Sequence, residues 1–367
     1  MRAFPLVAFA CALALVASPA QRKKKEEETQ TLQLPKDLPV AITGETSHLT
    51  FLVTPLSAKG LLSQQVREGL KALAHQASGD RVLKIRAFVA GSGDLRRVRD
   101  LVSEVFTDRK QPLPVLSLIQ SGGLPLEGAQ VEMEAIVSSR KELNPNGLAF
   151  LSAQQATSPN PLDPVAPLTT KALAQLAQAV KDAGAEPADV LRITCFLSSL
   201  DNAPANRKLV EDEYPRAAID LVQTQRAPFS ALSACEAVAR QHSDIGGPMR
   251  MLNPAGLPSE PGRSQIALVG APQVVLSGTQ VSFGYQLADA RLAFERLGKV
   301  LEQEGSSLHD VAFTHYYPLS GGIADQVRQV RGEFFDAAYA PAGTLLLFEG
   351  LPSMDAGFAV DVVAVKK

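Results

Sequence analysis

The sequence predicts a layered α/β protein of the mixed α+β kind, with helices covering one face of each sheet, and three observations predict it. One pattern of segments runs along the chain three times. Each pass carries a helical apolar stripe that stops at a glycine. Each stripe then gives way to a β-rich run, so strands and helices alternate.

The chain opens Met1-Arg2 and runs apolar from Ala3 to Ala17, with Ser18 and Ala20 as the small residues of a cleavage site. Residues 1–20 are therefore expected to be a secretory signal peptide, too short in its apolar part to stay in a membrane once cleaved, and the mature protein periplasmic or secreted. A lipid anchor would need a cysteine at the cleavage point, and Cys11 sits inside the apolar run instead. Residues 21–36, opening with "RKKKEEE" at 22–28, pair one block of charge with its opposite and carry no apolar period, which reads as a solvated tether. Export would leave Cys195 and Cys235, whose pairing the sequence leaves open.

The stripes are Val66, Leu70 and Leu73 in the first pass, Leu173, Leu176 and Val180 in the second, and Phe294, Leu297 and Leu301 in the third. Spacings of three and four put each set on one helical face, and Gly79, Gly184 and Gly305 stand where a cap would end each helix. The runs that follow are "GDRVLKIRAFVAGSG" (79–93), "GAEPADVLRITCFLSSL" (184–200) and "GSSLHDVAFTHYYPLSG" (305–321). A strand and turn precede the second and third helices at "FLSAQQ" (150–155) and "VLSGTQ" (275–280); the first pass has the drifted "LTFLVTPLSAKG". A second helix and two closing strands complete each pass, giving β-α-β-α-β-β three times: 37–140, 145–242 and 263–367. Residues 140–147 and 243–262, rich in Pro, Gly and Asn and without period, read as linkers.

Composition excludes several classes. A net charge of −2 and the absence of Trp give no footprint for nucleic acid. His309 and His315 have no third ligand type beside them, so no metal site is expected and both read as core or surface histidines. "GSGDLRRVRD" (91–100) has arginine where a third glycine would be needed to cradle a dinucleotide.

"LSGTQ", "GAEPADVLRITCFL", "YPRAAIDLV" and the endings "GGLP…VEMEAIV" and "GLP…VDVVAV", in this order, resemble the RidA/YjgF family of imine and enamine deaminases, also called endoribonuclease L-PSP. The resemblance covers residues 37–367 and implies a chorismate-mutase-like fold. Family members assemble as homotrimers with ligand clefts between subunits, so three passes in one chain imply an intramolecular pseudo-trimer, itself monomeric, whose clefts can diverge separately. The implied chemistry hydrolyses an enamine or imine of a 2-amino acid to a 2-keto acid, without metal or cofactor. An arginine fork holds the ligand carboxylate and a side-chain carboxylate handles the water.

By that resemblance Leu116 and Gly343 occupy the arginine's place in the first and third passes, which makes those sites degenerate. Gly343 would leave a wider, uncharged pocket. In the second pass Arg216 falls in the anchoring position, ahead of Arg226 and Arg240; its other reading is a strand-end arginine reaching solvent. The water-handling carboxylate corresponds to Glu134, Glu236 and Asp361, each either buried or on a solvent face. Asn206 matches the family's helix asparagine, where Arg99 and Arg328 stand in the other passes. Ser277 and Gly278 keep the turn that a neighbouring unit contributes, and Ser152 keeps its serine. One competent cleft, with Glu236 and Arg216 catalytic, is expected if the ring sets the third pass's turn against Arg216. Otherwise the protein is an inert binding or scaffold module. The expected partner is a small-molecule ligand, and the clefts of the inert alternative would hold some other ligand or none.

Overall fold

The computed structural model describes residues 34–91 and 93–367. The expected signal peptide and the tether up to residue 33 lie outside the described residues.

From Pro35 onward the chain forms one compact unit. Its elements follow the alternation of the sequence. The first group is β1 (Ala41–Glu45), β2 (Leu49–Val53), α1 (Leu62–Ala77), β3 (Arg81–Ala90), α2 (Leu95–Asp108), β4 (Val115–Ser121) and β5 (Val131–Ser138). The second is β6 (Leu148–Ser158), α3 (Val165–Asp182), β7 (Val190–Leu197), α4 (Ala203–Glu213), β8 (Ala218–Gln223) and β9 (Ala231–Arg240). After β10 (Met249–Leu252) and β11 (Ile266–Val269) comes the third: β12 (Gln273–Ser277), β13 (Gln280–Phe283), α5 (Leu287–Gln303), β14 (Val311–Tyr316), α6 (Gly321–Phe334), β15 (Ala342–Leu345) and β16 (Ala356–Val365). Gly184 and Gly305 follow α3 and α5 with φ of 76° and 77°, a left-handed turn that a Cβ would strain.

Three mixed sheets result among the described residues. They run β2-β5-β3-β4, β10-β11-β6-β9-β7-β8 and β1-β12-β16-β14-β15, with β13 also on β16. In each, the strand after the first helix pairs in parallel with the strand after the second, and antiparallel with the last strand of its group. The helical stripes are buried against one face of these sheets, forming three separate apolar cores. The opposite faces meet one another. Two further apolar clusters draw on all three sheets, one around Phe51, Phe150 and Phe313, the other around Phe88, Phe196 and Phe348.

The sheets cross the boundaries expected from sequence. β1, in the first pass, bonds to β12 in the third, and β11, in the third, bonds to β6 in the second. Within the expected linker 243–262 lies β10, which pairs with β11. Four residues between Pro and Gly clusters are too few to carry a period, which is why the sequence hides this strand. "VLSGTQ" is likewise two strands, broken at Gly278. In 140–147, Asn144 is buried and its amide donates to the carbonyls of Thr46 and Leu49.

Cys195 and Cys235, opposite one another on β7 and β9, form a disulfide inside the second helix-side core. Closing a loop of sequence separation 40 stabilises by about 4 kcal/mol on the chain-entropy account.

Gly343 on β15 leaves no open pocket. A Cβ there would lie 2.2 Å from Thr314 Oγ1 and 2.6 Å from its carbonyl oxygen, so the space is already filled. Gly343→Ala is expected to cost about 1–3 kcal/mol through overpacking, read from urea denaturation midpoints. Gly321→Ala, where a Cβ meets nothing within 4 Å, is expected to be near-neutral.

Candidate functional site

The three positions expected to handle water stand opposite one another's equivalents. Glu134 pairs in register with Arg86, Glu236 with Thr194, and Asp361 with His315. All three carboxylates point away from the helices and into the junction of the sheets, where they are at most 2% exposed. Strand alternation sends Lys84, Arg86, Arg192 and His315 to the same place.

There they form one ionic layer. Arg86 donates from Nε to Glu134 Oε2 at 2.6 Å and from Nη2 to Glu236 Oε1 at 2.8 Å. Arg192 reaches the same two carboxylates at 3.3 and 2.9 Å. Lys84 Nζ donates to Asp361 Oδ1 at 2.6 Å, and Ser117 and Tyr317 donate to Asp361 Oδ2. His315 places Nε2 2.9 Å from Glu236 Oε1 and Nδ1 3.0 Å from Asp361 Oδ1. Thr344 closes Glu236 Oε2 at 2.5 Å, and Thr194 donates to Glu134 Oε1.

Burial alone would raise each of these carboxyls, yet the neighbouring cations win. His315, Arg86 and Arg192 hold Glu236 well below the usual carboxylate range; Arg86 and Arg192 lower Glu134, and Lys84 and His315 lower Asp361. A carboxylate with every oxygen engaged by donors has little basicity left for a water. Glu236, Glu134 and Asp361 are thus placed as counter-ions rather than beside a cleft.

Arg216 is not brought to them. It lies exposed in the turn before β8, and among the described residues it makes no ion pair or side-chain hydrogen bond. The turns close elsewhere too. Ser277 is fully buried and receives a hydrogen bond from the Val362 amide; Gly278 packs against Val115 and the Leu116 carbonyl. Ser152 receives the Gly343 amide at 2.8 Å and donates to Ser264 O. The third pass's turn therefore faces Leu116, and the second pass's serine faces Gly343. β8, which follows Arg216, neighbours the drifted first-pass strand β2. Arg99 and Arg328 are occupied in surface ion pairs with Asp37 and with Asp325 and Glu260.

Asn206 is the exception. It is 1% exposed, donates through Nδ2 to Asn202 O at 3.1 Å, and leaves Oδ1 without a partner. It lines a cleft of about 600 Å³ at the end of the second sheet, with Ser198, Ser199, Gln223 and Arg226. Arg226 hangs over the cleft with one long contact, Nε to Gly122 O at 3.4 Å, while its backbone amide is fixed by Glu349 Oε1 at 2.5 Å. The remaining guanidinium donors are free among the described residues. Leu162, 89% exposed, adds an apolar wall. Arg226, not Arg216, shares a cleft with Asn206.

Sequence reasoning did not single out Lys84, Arg86 or Arg192, and it read His315 as a core or surface histidine without a partner. In "VLKIRAFVA", charges alternate with apolar residues as they would on a solvent face, and only the meeting of three sheets buries them. It also missed Glu132 and Asp220, both buried, with neither Asp220 oxygen hydrogen-bonded. Burial and the nearby Glu134 push Asp220 up to about 7, and burial and Asp220 push Glu132 well up. Their proximity in a buried place disfavours ionisation of both at once.

No protein-family model matches the chain, and no curated protein matches it. Among solved structures, a YjgF-family protein from Neisseria meningitidis matches at 16% identity over 32% of this chain and 95% of its own, with a TM-score of 0.25. A protein of unknown function of the conserved Rid family from Yersinia pestis matches at 20% identity over 32% of this chain and 99% of its own, with a TM-score of 0.31. RidA from the Antarctic bacterium Psychrobacter matches at 19% identity over 25% of this chain and 80% of its own, with a TM-score of 0.24.

Glu236→Ala strands Arg86 and Arg192 in a dry junction and is expected to cost about 3–5 kcal/mol, measured by denaturant unfolding. Asp220 acts with the opposite sign. Because its folded value of about 7 lies above the ordinary 3.8, the native state binds more protons between these limits, and stability falls as pH rises through that window. Asp220→Asn should therefore raise the Tm relative to wild type more at pH 8 than at pH 5, and equal increments at both would contradict the buried acid.

Proposed function

We propose that the chain is an exported, fused pseudo-trimer of RidA-like units that binds a small 2-amino or 2-imino acid in the Asn206–Arg226 cleft without hydrolysing it. The observation that carries the reading is the buried Asn206 Oδ1, unpartnered among the described residues, in a cleft also lined by a guanidinium with free donors. A buried acceptor lacking a donor costs about 1–3 kcal/mol, which a ligand N–H would recover. The guanidinium fork suits the carboxylate at the other end of the same molecule.

The fused arrangement is supported by the thrice-repeated element order and by equivalent inward positions in the three sheets. Export is supported by the signal-like start of the sequence and by the Cys195–Cys235 bridge, since such bonds persist in oxidising compartments. Binding is favoured over deamination because Glu236, the carboxylate expected to handle water, has its oxygens taken by Arg86, Arg192, His315 and Thr344.

Calorimetric titration with short 2-amino acids and their 2-keto counterparts tests this. The amino acids should bind more tightly, because only they offer Asn206 a donor. Arg226→Ala should weaken binding about 10- to 100-fold, the worth of a charged hydrogen-bonded contact, while Arg216→Ala should leave it unchanged. Loss on Arg216→Ala with retention on Arg226→Ala would overturn the assignment. Release of 2-keto acid from enzymatically generated 2-aminoacrylate would overturn the non-hydrolytic reading alone.

A further inference from the structure

Next to the ionic layer lies a cavity of about 20 Å³. That is room for one water or one monatomic ion. Its polar lining is Lys84, Arg86, Arg192, His315 and Glu134, every one of them at most 6% exposed, and the rest of the wall is aromatic or aliphatic.

The lining offers donors and almost no acceptor. Arg86 Nη1 and Arg192 Nε are buried without a partner among the described residues. Lys84 Nζ gives one of its three hydrogens to Asp361, its single side-chain contact among the described residues. Glu134, the carboxylate at the wall, already accepts from Arg86, Arg192 and Thr194. A water placed here would bring two O–H groups with nowhere to donate them, whereas a halide only accepts.

Charge points the same way. Lys84, Arg86 and Arg192 offset Glu134, Glu236 and Asp361. Both His315 nitrogens face carboxylate oxygens, so both contacts are hydrogen bonds only when the ring carries two N–H groups. That adds a fourth positive charge. Beyond Thr194, burial pushes the Glu132 and Asp220 carboxyls up, toward their neutral forms. On that geometry four cations face three carboxylates across the layer, in surroundings that screen little.

We propose that this cavity is a buried halide site, holding one chloride between Lys84, Arg86 and Arg192. The site is independent of the Asn206 cleft. Crystals grown in sodium bromide should show one anomalous peak within hydrogen-bonding distance of Lys84 Nζ, Arg86 Nη1 and Arg192 Nε. In solution, chloride added to protein exhaustively dialysed into sodium gluconate, at constant ionic strength, should raise the Tm saturably by about 2–5 °C through mass action on the native state. Arg192→Gln should abolish both signals. Should that variant fail to fold, the wild-type measurements still decide: density without anomalous signal together with superposable chloride and gluconate curves would overturn the site.

Discussion

Glu236 is gripped by Arg86 from one sheet, by Arg192 from its own and by His315 and Thr344 from the third. Removing such charges from water costs several kcal/mol per ion, and the interior returns that only when every lone pair and N–H finds its partner. The apolar clusters on either side of the layer would tolerate a small slide of one sheet over another, since contact between Phe and Leu side chains depends little on register. The ionic layer would not. A displacement of one residue along β3 would turn Arg86 toward the helices and remove a cation that Glu134 and Glu236 share, because successive side chains alternate faces. The rest of the fold is consistent with that demand: helices on the outer faces only, and the strands β1 and β11 stitched onto sheets other than those of their own groups.

A single chain makes this layer possible. Corresponding positions in the three sheets carry Arg86, Thr194 and His315 on one strand and Glu134, Glu236 and Asp361 on the next. Identical subunits around a threefold axis would repeat each residue three times and crowd like charges together. Here one arginine, one threonine and one histidine divide the work. The arginine spans Glu134 and Glu236, the threonine donates across to Glu134, and the imidazole bridges Glu236 and Asp361. Divergence between the three passes is what makes their centre complementary.

The sequence made the periodic parts of this fold readable. Val66, Leu70 and Leu73 and their counterparts lie at the helix–sheet interfaces, because a 3.6-residue period leaves few alternatives for an apolar stripe. It also picked out Glu134, Glu236 and Asp361 as one recurrent position, which the register places opposite equivalent partners. What the acids do was not legible. A carboxylate alternating with apolar residues looks the same whether it faces solvent, a cleft or two arginines, and the difference lies in strands 50 to 150 residues away in the chain. The same holds for Arg216 and Arg226. The resemblance favours the first, whereas the turn after β8 brings the second to the cleft that Asn206 lines.

The clefts differ for a related reason. Once the inward carboxylates are committed as counter-ions, a ligand can be met only by groups at the sheet ends, where the closing loops leave the junction. At Gly343 that ground is taken by Thr314 and Ser152, and at Leu116 by the Gly278 turn. The end of the second sheet alone combines a buried acceptor with an accessible guanidinium among the described residues. Neither group contributes to the ionic layer, so ligand recognition there can change without disturbing the charges that hold the three sheets in register. The residues that hold the sheets together and those of the proposed ligand cleft are thus different residues of the same strands and helices.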